Sequence, residues 1–119
     1  MTEIGLCLMS TGKFAEARQR YERALDAKQQ GDIQGRVDHE SLGSTMHELA
    51  VCLSSIGGLR AAASSYERAV EAKKQGDVHG RVDRASLASS LREGASLLRR
   101  LSRKEQAKAW ERQASRLGY

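Results

Sequence analysis

The stretch Tyr21 to Leu42, YERALDAKQQGDIQGRVDHESL, returns almost letter for letter at Tyr66 to Leu87 as YERAVEAKKQGDVHGRVDRASL, an offset of 45 residues. No other feature of the chain restricts its fold as much. Self-similarity at a fixed period of roughly 20 to 50 residues marks a solenoid, in which each unit buries its apolar face against the next. The chain of 119 residues accommodates two copies and a partial third. The expected units are about 1–34, 35–79 and 80–119 of a single domain, with no room for a separate catalytic one.

The residue types agree with an all-α fold. There is no proline, and Ala, Leu, Arg, Glu, Lys and Gln, all good helix formers, dominate. With 39% hydrophobic residues and five aromatic ones, the core must be built from Leu, Ala and Val and take its stability from stacking. No apolar run approaches the roughly 20 residues of a membrane span, and the first residues lack the layout of a signal peptide, so the expected location is cytoplasmic. The formal charge of +5 is concentrated: from residue 84 onward nine Lys and Arg face three Glu.

Apolar residues at helical spacing run through Phe14, Ala17, Tyr21, Ala24 and Leu25, and again through Leu59, Ala62, Tyr66, Ala69 and Val70. Between them Leu42, Met46, Leu49, Ala50, Val51, Leu53 and Ile56 predict a helix from Ser41 to Ile56, which Gly57-Gly58 ends. Asp38 and Asp83 are placed as N-caps, each with a serine three positions on. Two further helices are predicted from about Ser86 to Leu101 and from about Lys104 to Leu117. Short connections make consecutive helices antiparallel.

These positions resemble the tetratricopeptide repeat, a helix-turn-helix unit recognised by small residues that let two helices approach closely. The first unit carries Ile4-Gly5, Leu8, Gly12, Phe14, Ala17, Tyr21 and Ala24. The second carries Met46, Leu49-Ala50, Leu53, Gly57, Leu59, Ala62, Tyr66 and Ala69. The third retains Leu91, Ala95, Leu98, Ala107 and Ala114, but Gly94 replaces the leucine, Ser102 replaces the turn glycine, and Trp110 stands one position before the equivalent of Tyr66. It reads as a C-terminal cap. The 45-residue spacing is similar to the expanded variant of kinesin light chains, with Asp38-His39 resembling part of their link. The resemblance implies an alpha-alpha superhelix, a solenoid of antiparallel helix pairs with about two and a half to three repeats. Gly5, Ala17, Tyr21, Ala24, Ala50, Ala62, Tyr66, Ala69 and Trp110 would form its structural core.

Little in the chain suggests catalysis or a cofactor. Cys7 and Cys52 occupy the same position in consecutive units, at least one helix-packing distance of about 8 to 10 Å apart, beyond disulfide reach. His39, His47 and His79 lack metal-ligand spacing, and the serine pairs have no neighbouring base. Arg36 and Arg81 are expected to partner a neighbouring unit's carboxylate. By the resemblance, the first helix of each pair lines a concave groove. Its binding candidates are His47, Glu48, Val51, Ser55, Arg92, Ser96, Arg99 and Arg100, the last unit being basic and suited to carboxylates. Family members that clamp carboxylates or grip peptides with asparagine offer no closer guide, because this chain has no Asn.

The leading expectation is a non-catalytic scaffold that binds a peptide or protein segment, acidic in character, in the groove. Self-association as a homo-oligomer through the incomplete first unit, at Ile4, Leu8 and Phe14, is the second. Nucleic-acid binding through the basic C-terminal third is a third and weaker one. With so few aromatic residues it would be limited to phosphate contacts.

Overall fold

The computed structural model describes residues 14–30, 35, 37–55 and 57–118, with side chains of the first helix from Gln19 onward. Expectations placed on residues 1–13, on the side chains of Phe14 and Ala17, on Arg36 and on Ile56 lie outside them. That includes Gly5, Cys7 and the proposed self-association edge.

Among the described residues there are five helices and no strands: α1 (Phe14–Gln30), α2 (His39–Ser55), α3 (Leu59–Gln75), α4 (Arg84–Arg100) and α5 (Lys104–Arg116). The starts of α1 and α3 are 45 residues apart, as are those of α2 and α4. Each helix packs on the next in the chain, and α2 also touches α4, the arrangement of stacked helix pairs.

Local chemistry sets the boundaries. The Asp38 and Asp83 carboxylates each accept the backbone N–H of the serine three residues on, Ser41 and Ser86, at 3.0 Å. This satisfies an amide that the first turn leaves without a partner. Because the cap belongs to the aspartate, α2 and α4 begin immediately after it, two residues earlier than the apolar pattern alone suggested. Between α3 and α4 the loop closes on Asp77. Its Oδ1 accepts from the N–H groups of His79 (2.8 Å) and Arg81 (3.0 Å), and its own N–H donates to the Arg81 carbonyl at 2.9 Å. Gly76 has φ +84°, and a Cβ there would lie 2.6 Å from that carbonyl oxygen, so the turn admits only glycine without rearrangement. Arg81 serves this loop through its backbone, and its charge adds to the two amides that hold the Asp77 carboxyl below its usual range; among the described residues it does not form the expected ion pair with a carboxylate of a neighbouring unit.

Small residues make the core thin and close. Ala50, Ala62, Ala69, Leu91, Ala95, Ala107 and Ala114 are completely buried. At Gly43 the backbone of α2 lies so close to α3 that a Cβ would stand 2.7 Å from Lys73 Cγ and 2.9 Å from the Ala69 carbonyl oxygen. Ala24 is only partly buried, whereas its counterpart Ala69 is inaccessible. Tyr21 and Tyr66 are both buried, against the following helix in each case. The Tyr21 hydroxyl lies 3.6 Å from Cys52 Sγ on α2, and Tyr66 packs beneath Gly94 of α4.

The last pair departs from the earlier one by an exchange of volumes. Leu49 on α2 and Ser65 on α3 become Gly94 on α4 and Trp110 on α5, a large-small pair turned into a small-large one. A Cβ on Gly94 would stand 2.3 Å from the Trp110 ring, so the indole occupies the volume that a leucine side chain would need. Burial of Ala107, Trp110 and Ala114 matches that of Ala62, Ser65 and Ala69 at the same 45-residue offset. The register of α5 is thereby fixed.

Candidate functional site

The expected groove lies where α2 and α4 run side by side. Helical geometry directs Ser44, Glu48 and Ser55 of α2 away from the core, with Val51 at the margin and packed partly against it, and Ser89, Glu93, Ser96 and Arg100 of α4 outward likewise. The α2 set is partly exposed or exposed, and the α4 set is exposed. Between the two helices opens a cleft of about 210 Å³, lined by Ser44, His47, Glu48, Lys73, Ser86 and Ser89.

His47 spans the cleft. Its Nε2 is 2.5 Å from Glu93 Oε2 and its Nδ1 is 2.7 Å from Ser90 Oγ, while its ring meets Tyr66 edge-on with centroids 5.3 Å apart. A carboxylate can only accept, so Nε2 carries the proton and Nδ1 accepts from the Ser90 hydroxyl, the arrangement of a neutral imidazole. Burial holds the His47 pKa below the usual value and outweighs the opposing pull of Glu93. Burial and the nearby Glu93 carboxylate likewise push Tyr66 up to about 12.

Two lysines that the sequence reading did not single out tie the helix pairs together. Lys28 Nζ donates to the Ser41 carbonyl at 3.1 Å and to the Thr45 hydroxyl, and Lys73 Nζ donates to the Ser86 carbonyl at 3.1 Å. The two stand 45 residues apart and make the same link from the end of one pair to the first turn of the next. Lys73 is only 3% exposed, and burial lowers its pKa against the attraction of Glu40, Asp83, Glu93 and Glu48. Recurrence of a polar residue just ahead of the GD loop was the available signal. Glu40 completes the junction: its Oε2 accepts from Ser86 Oγ at 2.7 Å and Ser44 Oγ at 3.3 Å, and its N–H donates to the Gly76 carbonyl at 3.0 Å.

The eight binding candidates therefore divide into three groups. Glu48, Val51, Ser55, Ser96 and Arg100 are on the outward faces of α2 and α4. His47 is within the junction beneath them. Arg92 and Arg99 turn toward α5, where Arg99 forms an ion pair with Glu111 at 2.5 Å and Arg92 and Lys108 also act on that carboxylate.

A larger cavity of about 590 Å³ opens on the opposite side of α2, with Val37, Leu42, Met46 and Ala72 at its base and charged α3 residues such as Glu67 and Glu71 at its rim. Among the described residues no group of His, Cys, Asp and Glu could hold a metal ion, and no helix is long and apolar enough to cross a membrane. Cys52 is buried, and burial raises its thiol pKa, which disfavours the reactive thiolate.

No curated protein and no solved structure matches this chain. A family model described as tetratricopeptide repeat matches residues 1–75, which span α1, α2 and α3. With that match and these stacked, alanine-lined helix pairs, the chain belongs to the tetratricopeptide repeat family, whose non-catalytic repeats generally mediate protein–protein interactions.

Proposed function

We propose that this chain is a scaffold that holds a peptide or protein segment along the paired outer faces of α2 and α4. The observation that supports this reading is the alignment of four side-chain positions in each helix, Ser44 with Ser89, Glu48 with Glu93, Val51 with Ser96 and Ser55 with Arg100, beside one cleft. Small hydroxyl side chains let a segment approach the helices closely, Val51 gives it an apolar contact, and Arg100 meets an acidic residue at one end. His47 positions the wall of the site by joining α2 to α4.

Titration of the isotope-labelled chain with matched acidic, neutral and basic peptides tests the proposal. Amide shifts should concentrate on residues 44–55 and 89–100 and be largest with the acidic peptide, and Arg100→Glu should weaken that peptide selectively. Shifts confined to other helices, or binding indifferent to Arg100→Glu, would overturn it.

A further inference from the structure

The slot in which α4 sits is formed by α2 and α3, and the buried residues Ala63, Tyr66 and Val70 form part of its α3 wall. One step along the solenoid, the same positions of α5 are Lys108, Glu111 and Ser115, and the position of His47 is taken by Arg92. They belong to an exposed face that also carries Arg99, Arg112 and Arg116. Its shallow depression, about 450 Å³, is lined by Lys108, Glu111, Arg112, Ser115 and Arg116. Five cations stand there against two carboxylates, and both carboxylates are already engaged, Glu111 with Arg99 and Glu105 with Lys108 at 3.8 Å.

We infer that this end face docks an acidic amphipathic helix of another protein, seated where the solenoid's translation would put the next helix. Lys108, Arg112 and Arg116 recur every four residues, so their backbone positions advance about 6 Å at a time along α5. A helix with carboxylates at the same four-residue spacing matches that advance over three successive pairs. An extended strand, whose side chains on one face recur about every 6.6 to 6.8 Å, drifts out of step with them. A second copy of this chain is a poor occupant. On the described helices carboxylates are interleaved with cations, Glu22 and Asp26 with Arg23 on α1, and Glu67 and Glu71 with Arg68 and Lys74 on α3. Single-stranded nucleic acid is disfavoured too, since Trp110 is buried and among the described residues the face offers no exposed aromatic ring for a base to stack on.

The probe is a fluorescent alanine-based helical peptide with glutamates at i, i+4 and i+8, followed by anisotropy at low and moderate salt. It should bind the full chain, lose affinity as salt rises, and bind Lys108→Glu/Arg112→Glu about tenfold or more weakly. The same variant should gain affinity for the peptide's lysine counterpart, a charge exchange that an unfolded variant would not show. Arg60→Glu, an exposed cation at the start of α3 that lines neither the groove nor this face, should leave the glutamate peptide's binding unchanged, which separates the position of the charge from its sum. Failure of the glutamate peptide to bind, equal binding to the double variant, or tighter binding of a single-stranded oligonucleotide would overturn the proposal.

Discussion

The α2–α3 pair and the α4–α5 pair are built from the same positions, yet one is covered by a following helix and the other presents charge where that helix would lie. Positions that pack a pair against itself are retained: Ala62 and Ala69 recur as Ala107 and Ala114, all completely buried. Positions that pack one pair on the next are not, since Ala63, Tyr66 and Val70 become Lys108, Glu111 and Ser115. The repeat thus carries two separable sets of constraints. Selection on the second set can convert an interior junction into a polar end face without disturbing the hairpin that supports it.

Trp110 provides the strongest test of that separation. Because it fills the volume left by Gly94, Trp110→Ala should remove about 3 to 5 kcal/mol of stability, measured as a shift in the urea midpoint. Gly94→Leu alone should overpack the same space and cost about 1 to 3 kcal/mol. Gly94→Leu combined with Trp110→Ala returns the large-small order of Leu49 and Ser65, and it should be more stable than the sum of the two single effects allows. Strict additivity would show that the indole and the glycine do not share one space.

How far the sequence revealed this architecture depends on which kind of signal each residue leaves. Helix pairs, capping aspartates and buried alanines were legible because each has a local signature that recurs after 45 residues. The repeat set Trp110 one position before the equivalent of Tyr66, but nothing in the sequence supplied the reason for the shift. It replaces a serine on an adjacent helical position, and only its contact with Gly94, 16 residues earlier in the chain, explains the change. Lys28 and Lys73 were overlooked because a lysine in a sequence looks solvated, and nothing local reveals that a backbone carbonyl of the next helix awaits its ammonium group. The candidate groove was legible as a face, but not the division within it. Whether an arginine on α4 looks outward or toward α5 depends on Glu111, which belongs to another helix.

Ser102 gives a smaller effect of opposite sign. It stands where the earlier pair has Gly57, and it retains that glycine's left-handed backbone, φ +63° against +85°. A side chain in this region costs roughly 1 to 2 kcal/mol, part of which glycine returns through its greater freedom in the unfolded chain. Ser102→Gly should therefore stabilise the protein by a few tenths to about 1 kcal/mol. A neutral or destabilising result in thermal unfolding would mean that the serine side chain makes a compensating interaction at the turn.

The finest contrast is between His47 and Arg92, one position in two pairs, inside the junction and on the open end respectively. Burial depresses the folded-state pKa of His47, while Glu93 pulls the other way and Lys73 and Glu48 bear on it more weakly. As pH falls below the ordinary histidine value of about 6.5, the unfolded chain takes up this proton before the folded one does. The stability that neutral His47 contributes is complete above that value and is lost as pH falls toward and through the depressed one. One such proton can tilt the profile by no more than about 1.4 kcal/mol per pH unit. His47→Gln, which can still bridge Ser90 and Glu93, should flatten urea midpoints collected between about pH 7 and 5, a range set by the ordinary value. Arg92→Gln should leave that slope as it is, since arginine holds its proton throughout. Parallel profiles for the wild type and His47→Gln would mean that the imidazole changes charge as freely in the junction as in water, and the junction would then be no drier than the end face.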